Sequence, residues 1–482
     1  MTAAPTRQPP KVPGFSVSLL GDEPIAGSEP GKPLAFDVLA DVRRVEVTQV
    51  NTGQSHYTIT FNNWFLETPD DPRASKSVDN VQAAGPVKRT TLSKSPFWPR
   101  FKYNDFSLLK FGQRLRIDMR YWPGTKDAQP GGPSSQDWVA MVSGPITDMR
   151  FSFATGQGAE LTVSGEDDLS VLKDKQDRRI PLKPKAEVGL VKEVLGLAKL
   201  ALPLAEPPSG YKGSVFVKDD SHGINEAVQS GQSWLEFINK LAERLDFEVF
   251  AEFKQAPPTQ GPAQPGSPPS FPPPLEVHFE PYRGRVQYDE DQRSIYRIDR
   301  ERNLLDFNPT IKVGDQYSVT EVRGRHRDPQ LAQEVKAEAT HDVLKDELQR
   351  DPKLDGTLKT GPEVRATFFP SRPSRFVVQN EPNMDPTRAD AKAQAVLRKK
   401  ARELFTIDVT IVGDPRVRPG RHVEIRGMRP PFDGFYYATT VVHTYGGDGL
   451  RTKITASRPG MELPPNVATG RVLEPTQDKG AP

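Results

Sequence analysis

Two distant stretches of this chain run through the same signals in the same order. The first reads Phe111-Gly112-Gln113-Arg114-Leu115-Arg116-Ile117, then, after a loop, Val142-Ser143-Gly144-Pro145-Ile146-Thr147-Asp148-Met149, then Glu160-Leu161-Thr162-Val163-Ser164. The second reads Pro419-Gly420-Arg421-His422-Val423-Glu424-Ile425, then Phe432-Asp433-Gly434-Phe435-Tyr436-Tyr437-Ala438-Thr439, then Arg451-Thr452-Lys453-Ile454-Thr455. In each, a glycine stands ahead of a strand with alternating apolar residues, a second glycine opens the next strand, and a β-branched strand closes the set. Alternation at period two marks a strand with one buried face. Glycine ahead of it permits the positive φ of a tight turn. A chain patterned this way folds as two similar antiparallel β units. Three such chains in a closed ring present six similar units, which matches a threefold object to a sixfold one.

The neighbouring sequence extends each unit. Val45 and Val47, the turn Asn51-Thr52-Gly53-Gln54, and Tyr57, Ile59 and Phe61 spell an amphipathic hairpin over residues 41–64. Leu115, Ile117 and Met119 alternate with Arg114, Arg116, Asp118 and Arg120, and strands follow at 138–153 and 159–165. This first part reads as an antiparallel barrel or sandwich. The middle changes period. Val188, Val191, Leu195, Ala198 and Leu202 share one helical face. Ser233-Trp234-Leu235-Glu236 is a capping box, and Trp234, Phe237, Ile238, Leu241, Ala242 and Leu245 form the apolar stripe behind it. Strand-like runs at 247–253 and 275–279 flank the Pro-rich segment 256–274, which reads as an extended hairpin loop. The last third returns to strands at 315–324, 406–412, 422–426, 435–445 and 450–457. Two helices, 329–349 and 386–404, interrupt them, the second with Asp385 as N-cap and Pro386 at its first position.

Composition narrows the chemistry. Over 482 residues, 65 Lys and Arg balance 63 Asp and Glu, which excludes a simple polybasic nucleic-acid binder. With no cysteine, the chain has no disulfide framework, zinc ribbon or thiol nucleophile. The N-terminus lacks the apolar core of a secretory signal, and no stretch approaches about 18 uninterrupted apolar residues, so no membrane span is expected. His56, His222, His278, His326, His341, His422 and His443 show no metal-ligand spacing. His422 and His443 lie on neighbouring predicted strands and read as satisfied barrel histidines. Asp289-Glu290-Asp291 lacks the glycine and terminal glutamate of a calcium loop. Glu166-Asp167-Asp168 suggests a paired-carboxylate site only by its composition, and a solvated strand exit is expected. The stretch Gly27-Ser28-Glu29-Pro30-Gly31-Lys32-Pro33 fails as a phosphate loop, because Pro30 removes an amide and Pro33 stands where a hydroxyl is needed. Arg398, Lys399, Lys400 and Arg402 read as a solvated helix face. Phe97, Trp98, Phe101 and Tyr103 either anchor a partner or cover their own barrel end. No catalytic, cofactor-binding or metal residue is assigned, and no cofactor is expected.

Several stretches resemble the baseplate or tail hub proteins of contractile injection machines. These comprise the late-control tail protein D-like chains of temperate phages, the hubs of larger contractile phages and the hub part of type VI spike proteins. Residues 112–121 resemble the family's G-x-x-V-x-I-x-x-x-Y strand, with Leu115 in place of the valine. Residues 144–153 with 160–172 resemble its barrel exit, L-x-V-x-G-x-D-x-x-x-x-L. Residues 233–250 resemble its W-x-x-F-I-x-x-L-A-x-x-x-x-F-E helix and strand, and 319–324 its V-x-x-V-x-G strand. Residues 419–459, with His443, Gly449 and Thr452 in place, resemble its terminal unit and are the most specific match. The likeness covers most of 42–459.

The resemblance implies an α+β, mainly β fold: two similar antiparallel tube-like β-barrels flanking a small α/β domain with long loop insertions. The expected division is an N-terminal extension over 1–33, a first barrel over 34–178 with a long loop at 66–105, an α/β domain over 179–304 with the loop 256–274, a second barrel over 305–459 with helices 329–349 and 386–404, and a tail over 460–482. It also implies a non-enzymatic structural hub, assembled in the bacterial cytoplasm and ending in a virion tail baseplate or injection particle. The implied partners are two further copies in a homotrimer, a trimeric spike protein, a hexamer of tail tube protein and other baseplate proteins, with transient passage of DNA or cargo through the channel. Because no spike domain follows residue 459, the spike is expected to be a separate protein. The competing expectation is a tail-associated cell-wall hydrolase.

Overall fold

The alternating stretches pair into strands much as their sequences direct. The computed structural model describes residues 12–20, 32–65, 100–106, 108–122, 138–154, 158–173, 187–198, 232–253, 275–282, 295–326, 334–345, 358–370 and 374–463. The first unit contains β2 (Val42–Val50), β3 (His56–Asn62), β4 (Arg114–Trp122), β5 (Val139–Ala154) and β6 (Gly158–Glu166). Their spatial order is β2-β3-β6-β5-β4, antiparallel throughout. Val45, Val47, Tyr57, Ile59, Phe61, Leu115, Ile117 and Val163 point into one core. Each such side chain contributes about 1.5–3 kcal/mol by leaving water.

Three expectations are corrected here. Residues 1–33 are not simply an extension, because β1 (Val12–Leu19) pairs antiparallel with β4 from Leu19–Leu115 to Val12–Trp122. The second unit starts before residue 305, because β9 (Tyr296–Asp299) pairs parallel with its strand His422–Arg426. Residues 334–340, expected within a charged helix over 329–349, form a strand instead. Glu334–Thr340 is rich in helix formers, but Val335 and Ala339 alternate inward and every residue from Glu334 to Thr340 pairs with the neighbouring strand Val319–His326. Tertiary pairing overrides the local propensity.

The middle domain packs α1 (Glu187–Leu197) and α2 (Trp234–Leu245) against the hairpin of β7 (Phe247–Phe253) and β8 (Leu275–Pro281). The Pro-rich loop 256–274 lies outside the described residues, but the hairpin it connects is in register from Phe247–Pro281 to Phe253–Leu275. The capping box forms as read. Glu236 N–H donates to Ser233 Oγ at 3.1 Å, and Ser233 N–H donates to Glu236 Oε2 at 2.9 Å. Ser233→Ala is expected to lower stability by about 1 kcal/mol. Urea unfolding measures it, and a change of under a few tenths would show that the cap is dispensable.

The second unit contains β10 (Leu304–Ile311), β14 (Phe405–Val412), β15 (His422–Arg426), β16 (Gly434–Gly446) and β17 (Gly449–Arg458). Between β10 and β14 the chain inserts a three-stranded sheet of β11 (Val319–His326), β12 (Glu334–Thr340) and β13 (Arg375–Met384), covered by α3 (Pro386–Arg402). The spatial order of the second unit is β10-β14-β17-β16-β15.

Candidate functional site: the seam between two equivalent units

The two units repeat each other bond for bond at their turns. In the first, Gly112 N–H donates to Ile146 O and Ile146 N–H to Gln113 O, both at 2.9 Å. In the second, Gly420 N–H donates to Ala438 O at 2.8 Å and Ala438 N–H to Arg421 O at 2.9 Å. Gly112 and Gly420 have φ of +77° and +75°, which a side chain would strain. Two bulges also coincide. One falls between Ile146 and Asp148 in the first unit and between Ala438 and Thr440 in the second. The other falls between Val42 and Arg44, and between Leu304 and Asp306. A bulge is a specific local feature of a ladder, so two in matched places mark true equivalence. One detail of the sequence pattern is corrected. Leu115 faces Gly144 while Val423 faces Tyr436, so Gly144 corresponds to Tyr436 and not to Gly434. Gly144 answers a local need, because a Cβ there would lie 1.8 Å from the carbonyl oxygen of Glu166.

The units meet edge to edge. β2 of the first pairs antiparallel with the C-terminal half of β16 of the second, from Val50–Thr440 to Val45–Tyr445, merging both into one 13-stranded sheet. Buried polar groups fasten this seam. Arg418 donates to Gln49 Oε1 and to Ala140 O, both at 2.6 Å, and Gln49 Nε2 donates to Met141 O at 2.6 Å. Burial pushes the Arg418 guanidinium down to about 10. Glu248 of the middle domain accepts from Tyr437 Oη at 2.7 and 2.9 Å and from Asn51, tying all three parts together. Burial, with the charge of Glu248 beside it, raises the Tyr437 phenol well above its ordinary range.

His443 lies in this seam, opposite Val47. Its Nδ1 bonds Thr452 Oγ1 at 3.0 Å and its Nε2 bonds Val417 O at 3.1 Å. His422 packs edge-on against Phe435 and Tyr437. Among the described residues no group of three His, Asp or Glu is placed to hold a metal. The expected solvated exit at 166–168 is corrected: Asp167 and Asp168 are buried. Asp167 accepts from the N–H groups of Ser55 and Leu169, and Asp168 holds Arg114 and Ser143. Burial pushes the Asp167 carboxyl up to about 8. The charged side of β4 is also covered, with Arg116 and Asp118 paired at 3.0 Å. Of the basic cluster, Arg402 turns inward onto Asp246 and the ring of Tyr282, while Lys399 and Lys400 pair with Glu243 and Glu403. Tyr103 is buried and donates to Asp41 at 2.6 Å, whereas Phe101 is exposed. Phe97, Trp98, Asp289, Glu290, Asp291 and His222 lie outside the described residues.

Opposite the two cores, the merged sheet presents a polar face. Thr48, Thr58 and Thr162 in the first unit continue into Thr440, Thr455 and Thr410 in the second. The arrangement is a scaffold: two repeated five-stranded units joined through one seam and hydrogen-bonded to an α/β domain. Two solved structures share the fold of that scaffold. The 43 kDa tail protein of prophage MuSo2 from Shewanella oneidensis shares the fold with a TM-score of 0.54 at 10% identity, over 93% of this chain and 98% of that one. The tail protein from Neisseria meningitidis MC58 does so with a TM-score of 0.51 at 11% identity, over 93% and 96%. No protein-family model and no curated protein matches the sequence.

Proposed function

We propose that this chain is a structural baseplate or tail hub of a contractile injection machine, whether of a phage tail, a tailocin or an extracellular injection system. The observation that carries the reading is the shared strand order, turn hydrogen bonds and two matched bulges of two sheet units in one chain. A homotrimer of such chains offers six equivalent units, so one face seats a threefold spike protein while the other starts a sixfold tube. The tail-protein fold supports the same reading. Function then rests on interface area and shape, on the scale of roughly 2,000–5,000 Å² for obligate assemblies. Other baseplate proteins surround the ring, and DNA or cargo passes through it. Among the described residues no helix is long and apolar enough to cross a membrane.

Mass photometry and electron microscopy of the full chain test this. A three-copy particle with six lobes in end view is expected, and monomers alone, even with tube and spike proteins present, would overturn it. The hydrolase alternative makes a separate claim, which zymography on peptidoglycan checks. A lytic band would displace the structural reading.

A further inference from the structure

One helix of the insertion ends in the open. Between β12 and β13 the chain forms the helix Gly361–Phe368, and its first turns are held from several sides. The short strand before it, Lys359–Thr360, pairs with Gly460–Met461. Thr360 donates to Glu363 Oε2 from its N–H at 2.8 Å and from its hydroxyl at 2.9 Å. A Cβ on Gly361 would meet Gln316 Oε1 at 1.9 Å, so no larger residue fits against that side chain. Val364 is buried in the core of the second unit, and Arg365 donates to Gly314 O. The last turn does the opposite. Every residue from Ala366 to Pro370 is exposed, Phe368 by 46% and Phe369 by 42%. Singly exposed apolar residues need no explanation. Two adjacent rings followed by a proline, on a helix fixed at its other end, form an apolar knob presented to a partner.

We propose that this knob anchors the chain in an apolar pocket of a different protein, and that carboxylates line the rim of that pocket. The charges around the knob set the sign of the rim. Lys345, Lys359 and Arg365 lie on or beside the helix, and Lys312 lies two residues from Gly314, whose carbonyl oxygen accepts from Arg365. Asp315 and Glu363 oppose them, but Glu363 is already engaged by Thr360 and, at 3.6 Å, by Lys345. Lys359 forms no ion pair among the described residues. The Arg365 guanidinium lies 5.9 Å from the Phe369 ring centroid, so a cation and an aromatic face are offered together. Aromatic side chains and arginine are enriched in protein interfaces, where the anchoring ones fill desolvated pockets. A bilayer is the poorer fit. Two rings at one helix end, with Asp315 and Glu363 beside them, lack the broad apolar and basic faces of a membrane-surface helix. The proposal stands apart from the hub reading, since it needs a protein partner and no ring.

Photo-crosslinking in cells that produce the full-length chain tests this. The photoreactive p-benzoylphenylalanine replaces Phe368 or Phe369, a modest change at an exposed site. Irradiation is expected to join the chain to one other protein. Mass spectrometry and that protein's structure should place the linked residues in an apolar pocket with more Asp and Glu than Lys and Arg at its rim. Adding Lys359→Glu should lower the yield of that product about fivefold or more at unchanged melting temperature, because like charges then meet across the rim. No product from either position overturns the proposal, as does a product that joins two copies or closes within one chain. A basic rim, or a yield indifferent to Lys359→Glu, also overturns it. Sedimentation of the free chain with phosphatidylglycerol vesicles, lost in Phe368→Ser/Phe369→Ser, would assign the knob to a bilayer instead. A three-copy ring seen by microscopy without a photoproduct leaves the hub reading standing while this proposal falls. A photoproduct from a chain that stays monomeric does the reverse.

Discussion

Asp168→Ala is expected to lower the stability of the fold by about 3–5 kcal/mol, the loss typical of breaking a buried ion pair from one side. Arg114 and Asp168 are both buried where β4, β5 and the exit of β6 converge. Arg114 donates through Nε at 3.1 Å and through Nη2 at 2.6 Å to the two carboxylate oxygens, and Ser143 Oγ adds a third bond at 3.0 Å. A bidentate fork of this kind is strong because both charges are out of water and geometrically matched. Removing the carboxylate leaves the guanidinium buried without the charge that neutralises it. Denaturant unfolding should show a lower midpoint at unchanged slope. The double variant Arg114→Met/Asp168→Leu should recover most of the loss, since an apolar pair of similar volume replaces a buried ion pair at little cost. A loss below about 1 kcal/mol for Asp168→Ala would show that water reaches the site.

The pair also shows where sequence reading stops. Leu115, Ile117 and Met119 announce β4 by alternation, but alternation identifies one buried face and says nothing of what covers the other. Here Arg114, Arg116 and Asp118 are buried too, Arg114 on Asp168 at the exit of β6 and Arg116 on Asp118 of its own strand. The α2 helix was legible to the residue because its capping box and stripe are local, and local signals survive in any tertiary setting. Glu334–Thr340 was not legible, since its composition favours a helix and only pairing with β11 decides otherwise. β1, with Pro13 and Gly14 inside it, carries weak strand signals and is fixed by β4 alongside it. The repeat was visible as a pattern, whereas the seam was not. Arg418, Gln49 and Ala140 lie far apart in the chain, and nothing local to any of them points to the others.

The seam should also report acid. His443 is fully buried, and both ring nitrogens are satisfied in the neutral form. Thr452 Oγ1 accepts from Asp414 N–H at 3.0 Å, so its hydroxyl is directed to Nδ1, and Nε2–H donates to Val417 O. Burial first and the nearby Arg418 charge second push the imidazole down to about 3, against a smaller opposing pull from Asp414 and from the Val417 bond. The folded value therefore lies below the unfolded one of about 6.5, and the unfolded chain takes up the proton first. The stabilisation is complete above about pH 6.5 and is lost as pH falls from there toward 3, by about 1.4 kcal/mol per unit. Asp167, raised to about 8 by burial, acts the other way, since its folded form holds the proton more tightly and acidification through that range adds stability. The raw pH curve thus mixes two slopes, and the informative quantity is the difference between the native chain and His443→Gln, whose amide preserves a donor and an acceptor. That difference should be flat above pH 7 and should shift against the native chain by about 2–3 kcal/mol at pH 4.5. Parallel curves for the two proteins would show that His443 is charged or solvated in the fold. Because His443 faces Val47 across the seam, the amides of β2 and β16 should lose hydrogen-exchange protection at low pH before those of α2.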